Sequence, residues 1–180
     1  MNAADAQWLL ADAVPRQTGV WADFGAGEGT FTRALVALLG PGSRIYAVDR
    51  DPGSLAVLQR WDKRNGADVV PVIADFTRPF ALPELGSGDL DGMLLANALH
   101  FVRQPEPVLT QLTAWLRPGG RAVIVEYDGR RANRWIPYPV PSDQLPPLAA
   151  AAGLTPPVVT ATRASAFGGE LYVAAATRRG

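Results

Sequence analysis

Along the chain, short apolar runs alternate with stretches whose apolar residues recur every three or four positions. Runs at 20–24, 44–48, 69–73, 90–96 and 122–125 are rich in Val, Ile, Leu and Ala and are bounded by glycine, proline or acidic residues. Such runs predict strands buried on both faces. Between them, 30–39 carries Phe31, Leu35, Leu38 and Leu39 at helical spacing and is stopped by Gly40-Pro41-Gly42. A second helix is predicted at 54–63 after Pro52-Gly53, and a third at 106–116, stopped by Pro118-Gly119-Gly120. The rhythm changes after residue 126. Residues 127–141 are rich in Arg, Pro and aromatics without a period, a length that suits a functional cover. Residues 142–152 predict a helix with Ser142 as N-cap and Gly153 as stop. Runs at 157–162 and 170–176, separated by Phe167-Gly168-Gly169, predict an antiparallel hairpin. No repeat or second domain is evident, so residues 1–180 read as one domain.

Repeated strand–helix units imply an α/β domain. Parallel neighbours need a crossover, and the crossover helices cover both faces of the sheet. Ligands of such sheets bind outside the carboxyl ends of the strands. Four successive predicted strands end in polar chemistry. The first ends in Asp23-Phe24-Gly25-Ala26-Gly27-Glu28-Gly29, whose glycines permit positive φ and close approach of backbone to a ligand. The second ends in Asp49-Arg50, and a carboxylate there accepts hydrogen bonds from both hydroxyls of a ribose. The third is followed by Asp75-Phe76, an acceptor suited to an adenine amino group, and the fourth by Asn97. Each has a plainer role as a tight turn or cap. Their coincidence at four strand ends points to one nucleotide-binding crevice.

Bulk composition narrows the partners. The 180 residues are 48% hydrophobic and 19% charged, with 17 basic and 17 acidic side chains and zero formal net charge. That balance argues against duplex nucleic acid or an anionic membrane as main partner. The absence of cysteine excludes a disulfide scaffold and a thiolate metal site, and no metal is expected. The first ten residues contain Asp5 and no Lys or Arg, unlike a secretory signal, so a cytoplasmic location is expected.

The chain resembles the class I S-adenosylmethionine-dependent methyltransferases, and is most similar to the small branch that includes ubiquinone- and menaquinone-biosynthesis-type enzymes. The resemblance rests on Asp23–Gly29 as first motif, Ala47-Val48-Asp49 as acidic second motif, and Ala74-Asp75-Phe76 on the adenine side. Residues 94–102, containing Asn97 and His100, match the fourth-strand segment, and 116–121 the turn before strand five. It covers residues 18–126 firmly. It implies a Rossmann-like three-layer sandwich with a mostly parallel seven-stranded sheet and a C-terminal antiparallel hairpin. It also implies S-adenosyl-L-methionine as methyl donor. Gly25 and Gly27 would lie against the methionine part and ribose, with Phe24 and Ala26 in the same motif. Asp23 would face the methionine end, Asp49 and Arg50 the ribose side, Asp75 and Phe76 the adenine, and Asn97 the methionine amino group. The long cap that many relatives use to enclose substrate is missing, which leaves residues 1–18 and 127–141 for that purpose.

Methyl transfer from a sulfonium is an in-line displacement whose difficult chemistry resides in the donor. His100, the only histidine, is the candidate base if an acceptor must lose a proton; its plainer role is to pack or cap the turn after the fourth strand. Glu126, Tyr127 and Asp128 are weaker candidates. Trp135, Ile136 and Tyr138 suit the wall of an acceptor pocket or a loop anchor, and Arg130, Arg131 and Arg134 an anionic acceptor or a solvated face. The expected partner is a small-molecule acceptor, without nucleic acid or membrane, and a homodimer is compatible with the sequence. Two other readings compete. A nicotinamide-dependent oxidoreductase also uses a glycine turn and an acidic second-strand end, but the spacing here is Gly25-x-Gly27-x-Gly29 rather than G-x-G-x-x-G. A non-catalytic regulatory protein that binds S-adenosylmethionine is the other.

Overall fold

The structure, a computed structural model, describes residues 1–65, 67–165 and 168–180, with all their side chains except those of Lys63 and Arg64. Five strands, β1 (Val20–Phe24), β2 (Arg44–Asp49), β3 (Asp68–Ile73), β4 (Leu90–Ala96) and β5 (Leu116–Asp128), pair in parallel. β6 (Val158–Ala164) and β7 (Glu170–Thr177) complete a seven-stranded sheet of order β3-β2-β1-β4-β5-β7-β6, in which β7 runs antiparallel to both neighbours. The order reverses between β1 and β4, which opens a crevice at their carboxyl ends. This is the Rossmann-like architecture expected. Of the turn expected at Phe167-Gly168-Gly169, Phe167 lies outside the described residues.

Side-chain alternation assigns the strands' two faces. Ala22, Phe24, Tyr46, Val48, Met93, Ile124 and Tyr172 pack on one face with α4 (Pro105–Thr113) and α5 (Leu145–Ala151). Trp21, Ile45, Leu94, Val123, Val125 and Val173 pack on the other with α1 (Ala3–Leu10) and α2 (Thr30–Leu39). The remaining helix, α3 (Pro52–Asn65), buries Leu55 and Leu58 against Ala26, Ala47 and Val69. Among the described residues, no helix is long and apolar enough to cross a membrane.

Three elements differ from expectation. The helix predicted at 106–116 ends at Thr113, and Leu116 instead opens β5, paired with Leu90. Pairing resumes at Gly92 and Arg121, so Arg117–Gly120 bulges within a strand rather than forming a turn ahead of one. Backbone bonds from Gly119 N–H to Arg178 O (3.0 Å) and from Arg178 N–H to Gly120 O (2.9 Å) hold the bulge from β7's side. The helix predicted at 142–152 begins as a 3-10 turn at Ser142–Gln144, and Ser142 makes no side-chain cap; its N–H donates to Asp128 Oδ1 at 2.7 Å. Finally, α1 is capped by Asn2, whose side chain accepts the Asp5 N–H at 2.8 Å, and buries only Ala6, Leu9 and Leu10.

Candidate active site

The crevice is built from the backbone outward. Gly25 N–H and Ala26 N–H both donate to Val48 O (2.8 and 3.1 Å), which draws the β1–α2 loop over the end of β2. Gly25 has φ +84°, and a Cβ there would lie 2.7 Å from the Ala98 Cβ. Only glycine allows this turn together with so close an approach of the β4 end. Gly27 N–H donates to Asp49 Oδ2 at 2.8 Å, and Asp51 N–H to Asp49 Oδ1 at 2.9 Å. Asp49 therefore clamps two loops and keeps further lone pairs for a ligand.

These strand ends enclose a cleft of about 430 Å³ lined by Gly25, Asp49, Arg50, Asp75, Phe76 and Asn97, together with neighbours that include Thr77, Ala98 and Phe101. Six of the residues singled out from sequence thus meet in one space. Four others do not line it. Phe24 is fully buried, its ring edge-on to Phe80 at 6.0 Å. Alternation turns the Phe24 side chain to the core face. Ala26 packs toward α3 with Leu55 and Leu58, and Gly27 contributes its N–H to Asp49. Asp23 lies buried on the α2 side of β1, where Thr32 Oγ1–H donates to its Oδ2 at 2.7 Å.

Two buried oxygens at this end of the sheet have no protein partner, Asp23 Oδ1 and Asn97 Oδ1. An unpaired buried acceptor is costly, and a ligand donor relieves it. Burial pushes the Asp23 carboxyl up to about 7; the Thr32 bond pulls it down, and the nearby Asp49 charge raises it further. Asn97 adopts φ +54°, a left-handed conformation in a non-glycine residue, with its N–H bonded to Val125 O at 2.9 Å. Asp75 serves two purposes. Its Oδ1 accepts the Thr77 hydroxyl (2.6 Å) and N–H (3.0 Å), which holds the carboxyl below the usual range, and it also edges the cleft.

A second cavity, of about 570 Å³, adjoins the first at Asn97 and Phe101 and is walled by Tyr127, Trp135 and Ile136, with His100 and Arg130. His100 is buried in the 3-10 turn Leu99–Phe101, and the fully buried Glu126 holds it twice. Glu126 Oε1 accepts the His100 backbone N–H at 3.1 Å, and Oε2 lies 2.7 Å from Nδ1. No local sequence signal joins these two positions, 26 residues apart. Burial and the Glu126 charge raise the Tyr127 hydroxyl pKa, with Arg130 opposing. The 129–141 segment is anchored at both ends by Asp128 to Ser142 (2.7 Å), Tyr138 N–H to His100 O (3.0 Å) and Tyr172 O–H to Val140 O (2.6 Å). The Tyr138 backbone thus anchors the loop, while its side chain is exposed. Arg131 is exposed, and Arg134 stacks 4.7 Å over Trp135.

Residues 22–122 match a family described as methyltransferase domain. Among solved structures, a Burkholderia thailandensis 1,6-didemethyltoxoflavin-N1-methyltransferase, crystallised with its acceptor and S-adenosylhomocysteine, is 25% identical at a TM-score of 0.75, covering 99% of this chain and 78% of that one. A SAM-dependent methyltransferase from Aquifex aeolicus is 16% identical at a TM-score of 0.75, over 96% and 89% of the two chains, and shares the fold. A ribosomal RNA small subunit methyltransferase H from Neisseria gonorrhoeae is 39% identical over 93 residues, 48% of this chain and 28% of that protein. The chain spans less than a third of the length of the curated relatives it matches.

Proposed function

The chain belongs to the methyltransferase domain family, whose donor is S-adenosylmethionine, and from that premise we propose that it methylates a small-molecule acceptor. The observation that carries this reading is the continuity at Asn97 and Phe101 between a cleft edged by carboxylates at the strand ends and a largely apolar cavity beside it. One half suits a nucleoside donor and the other a compact organic acceptor.

The residues present fit the donor. Gly25 leaves a cradle that a Cβ would fill. The orphaned Asn97 oxygen, on the cleft wall, is an acceptor suited to an ammonium group, and Asp23, which does not line the cleft, adds a buried carboxyl at the same end of the sheet. Asp49 offers carboxylate lone pairs to a ribose diol, and Phe76 and Asp75 flank the space for adenine. When bound, the donor supplies an activated methyl group on sulfur. Within this reading the protein aligns the acceptor with that carbon and excludes water. Alignment alone supplies about 7–11 kcal/mol of barrier reduction.

Zero net charge supports a small molecule over RNA, since phosphate contacts draw on clustered Lys and Arg. The test is calorimetric titration of S-adenosylhomocysteine, followed by methyl transfer to a panel of small phenols, amines and quinones and to ribosomal RNA. Binding with transfer to a small molecule is the expected result. Transfer to RNA alone refutes the acceptor assignment, and absence of binding to a folded chain refutes the reading as a whole.

A further inference from the structure

We infer that the apolar cavity beside the cleft accepts a planar molecule carrying an ionisable hydroxyl, a phenol or enol, which His100 Nε2 deprotonates during methyl transfer while Glu126 holds the ring. The inference rests on the methyltransferase reading above and names its acceptor class.

Three observations converge. First, His100 lines the cavity, and its Nδ1 is engaged by Glu126 at 2.7 Å. No hydrogen bond to Nε2 is present among the described residues, nor is Nε2 among the buried atoms lacking a partner. A ring that donates Nδ1–H to a carboxylate presents Nε2 as a bare acceptor. Second, Glu126 is fully buried and also grips the His100 backbone N–H. That double hold fixes the ring and supplies a negative charge opposite the imidazolium formed in the reaction. Packing of a turn needs only the backbone bond. Third, the walls are aromatic. The Phe101 ring lies 4.4 Å from the His100 ring, tilted 48° to it, and Tyr127 lies 6.0 Å from it, with Trp135 also on the wall. Flat rings suit a flat ligand.

The step balances. The acceptor O–H proton passes to Nε2, the oxygen's electron pair forms the bond to the methyl carbon, and the carbon–sulfur bond breaks with its pair kept on sulfur. The products are a methyl ether, a neutral thioether and an imidazolium paired with Glu126. A neutral amine already carries a free pair and needs no base before it attacks, so this arrangement favours oxygen.

The test uses the whole chain with S-adenosylmethionine and three probes: 2-naphthol, 2-naphthylamine, and a nitro-substituted naphthol already ionised at the assay pH. Wild type is expected to methylate 2-naphthol faster than the amine. His100→Asn keeps an amide N–H toward Glu126 but removes Nε2. It should lower kcat for 2-naphthol about 100-fold or more, leave the ionised naphthol within about threefold, and leave S-adenosylhomocysteine affinity unchanged. A merely structural histidine would slow both naphthols alike. Glu126→Gln should lower kcat for 2-naphthol with little change in KM. Trp135→Ala, at an exposed wall position, should instead raise KM, which keeps the test alive if His100 variants do not fold. Equal rates of wild type and His100→Asn on 2-naphthol, equal losses on both naphthols, or a preference for the amine overturn the inference. Binding of S-adenosylhomocysteine without transfer to either naphthol overturns the acceptor class and spares the family reading. Failure to bind S-adenosylhomocysteine overturns the reading beneath it.

Discussion

Replacing Asp23 with Asn should abolish a specific part of the protein's pH-dependent stability. Burial carries the Asp23 carboxyl from its ordinary 3.8 to about 7 in the folded chain. The folded value lies above the unfolded one, so the native state retains a proton that the unfolded state releases. Stability from this group is therefore complete below about pH 4 and is lost as pH rises through about 7. At about 1.4 kcal/mol per pH unit, the loss between about pH 5 and pH 8 comes to about 3 kcal/mol. Asn preserves the shape, can accept the Thr32 hydroxyl and cannot ionise. Urea unfolding of both proteins across that range isolates the effect, since titrations common to both cancel. The wild-type curve should fall relative to Asp23→Asn as pH rises, by about 3 kcal/mol or about 6–12 °C in Tm for a chain of this size. Parallel curves, within about 0.5 kcal/mol, would mean that the carboxylate is solvated or paired and that the argument from its unpartnered Oδ1 is wrong.

Other outcomes follow from the same geometry. Binding of S-adenosylmethionine near about pH 6 should release a proton as Asp23 ionises beside a cationic ligand, which calorimetry in buffers of different ionisation enthalpy detects. Asp49→Ala removes the acceptor for Gly27 and Asp51 N–H. It should weaken S-adenosylhomocysteine binding at least about 100-fold, from two charge-assisted bonds worth about 1.5–3 kcal/mol each, as measured by titration. Gly25→Ala forces a side chain to φ +84° and within 2.7 Å of Ala98, so it should cost about 1–3 kcal/mol in urea unfolding and abolish cofactor binding. Tyr172→Phe loses the 2.6 Å bond to Val140 O and should cost about 1 kcal/mol, with faster amide exchange across 129–141.

The parts of the fold that could be read from sequence are those in which local pattern and tertiary packing agree. β1, α2 and β4 carry apolar spacing that matches their burial, and Asp49, Asp75 and Asn97 stand out because each interrupts an apolar run where a strand stops. The pairing of His100 with Glu126 has no such local signal. Glu126 sits inside the run Ala-Val-Ile-Val-Glu-Tyr-Asp, where a carboxylate looks like the edge of a strand, and its partner His100 approaches only through the pairing of β4 with β5. Pro118-Gly119-Gly120 signals a turn, yet bonds to Arg178, nearly sixty residues later, keep it within a strand. α1 is eight residues long and alanine-rich, so it owes its form to Asn2 and to packing on α2 rather than to a strong period.

The tethers at Asp128, Tyr138 and Tyr172 fasten the stretch from Gly129 to Ile136 to the sheet at its two margins, like a panel set in a frame. Residues exchanged there can redraw which molecules are admitted while Asp49 and the glycine turn stay as they are. If the proposed function holds, diversification toward new acceptors, by selection or by design, has a short target there.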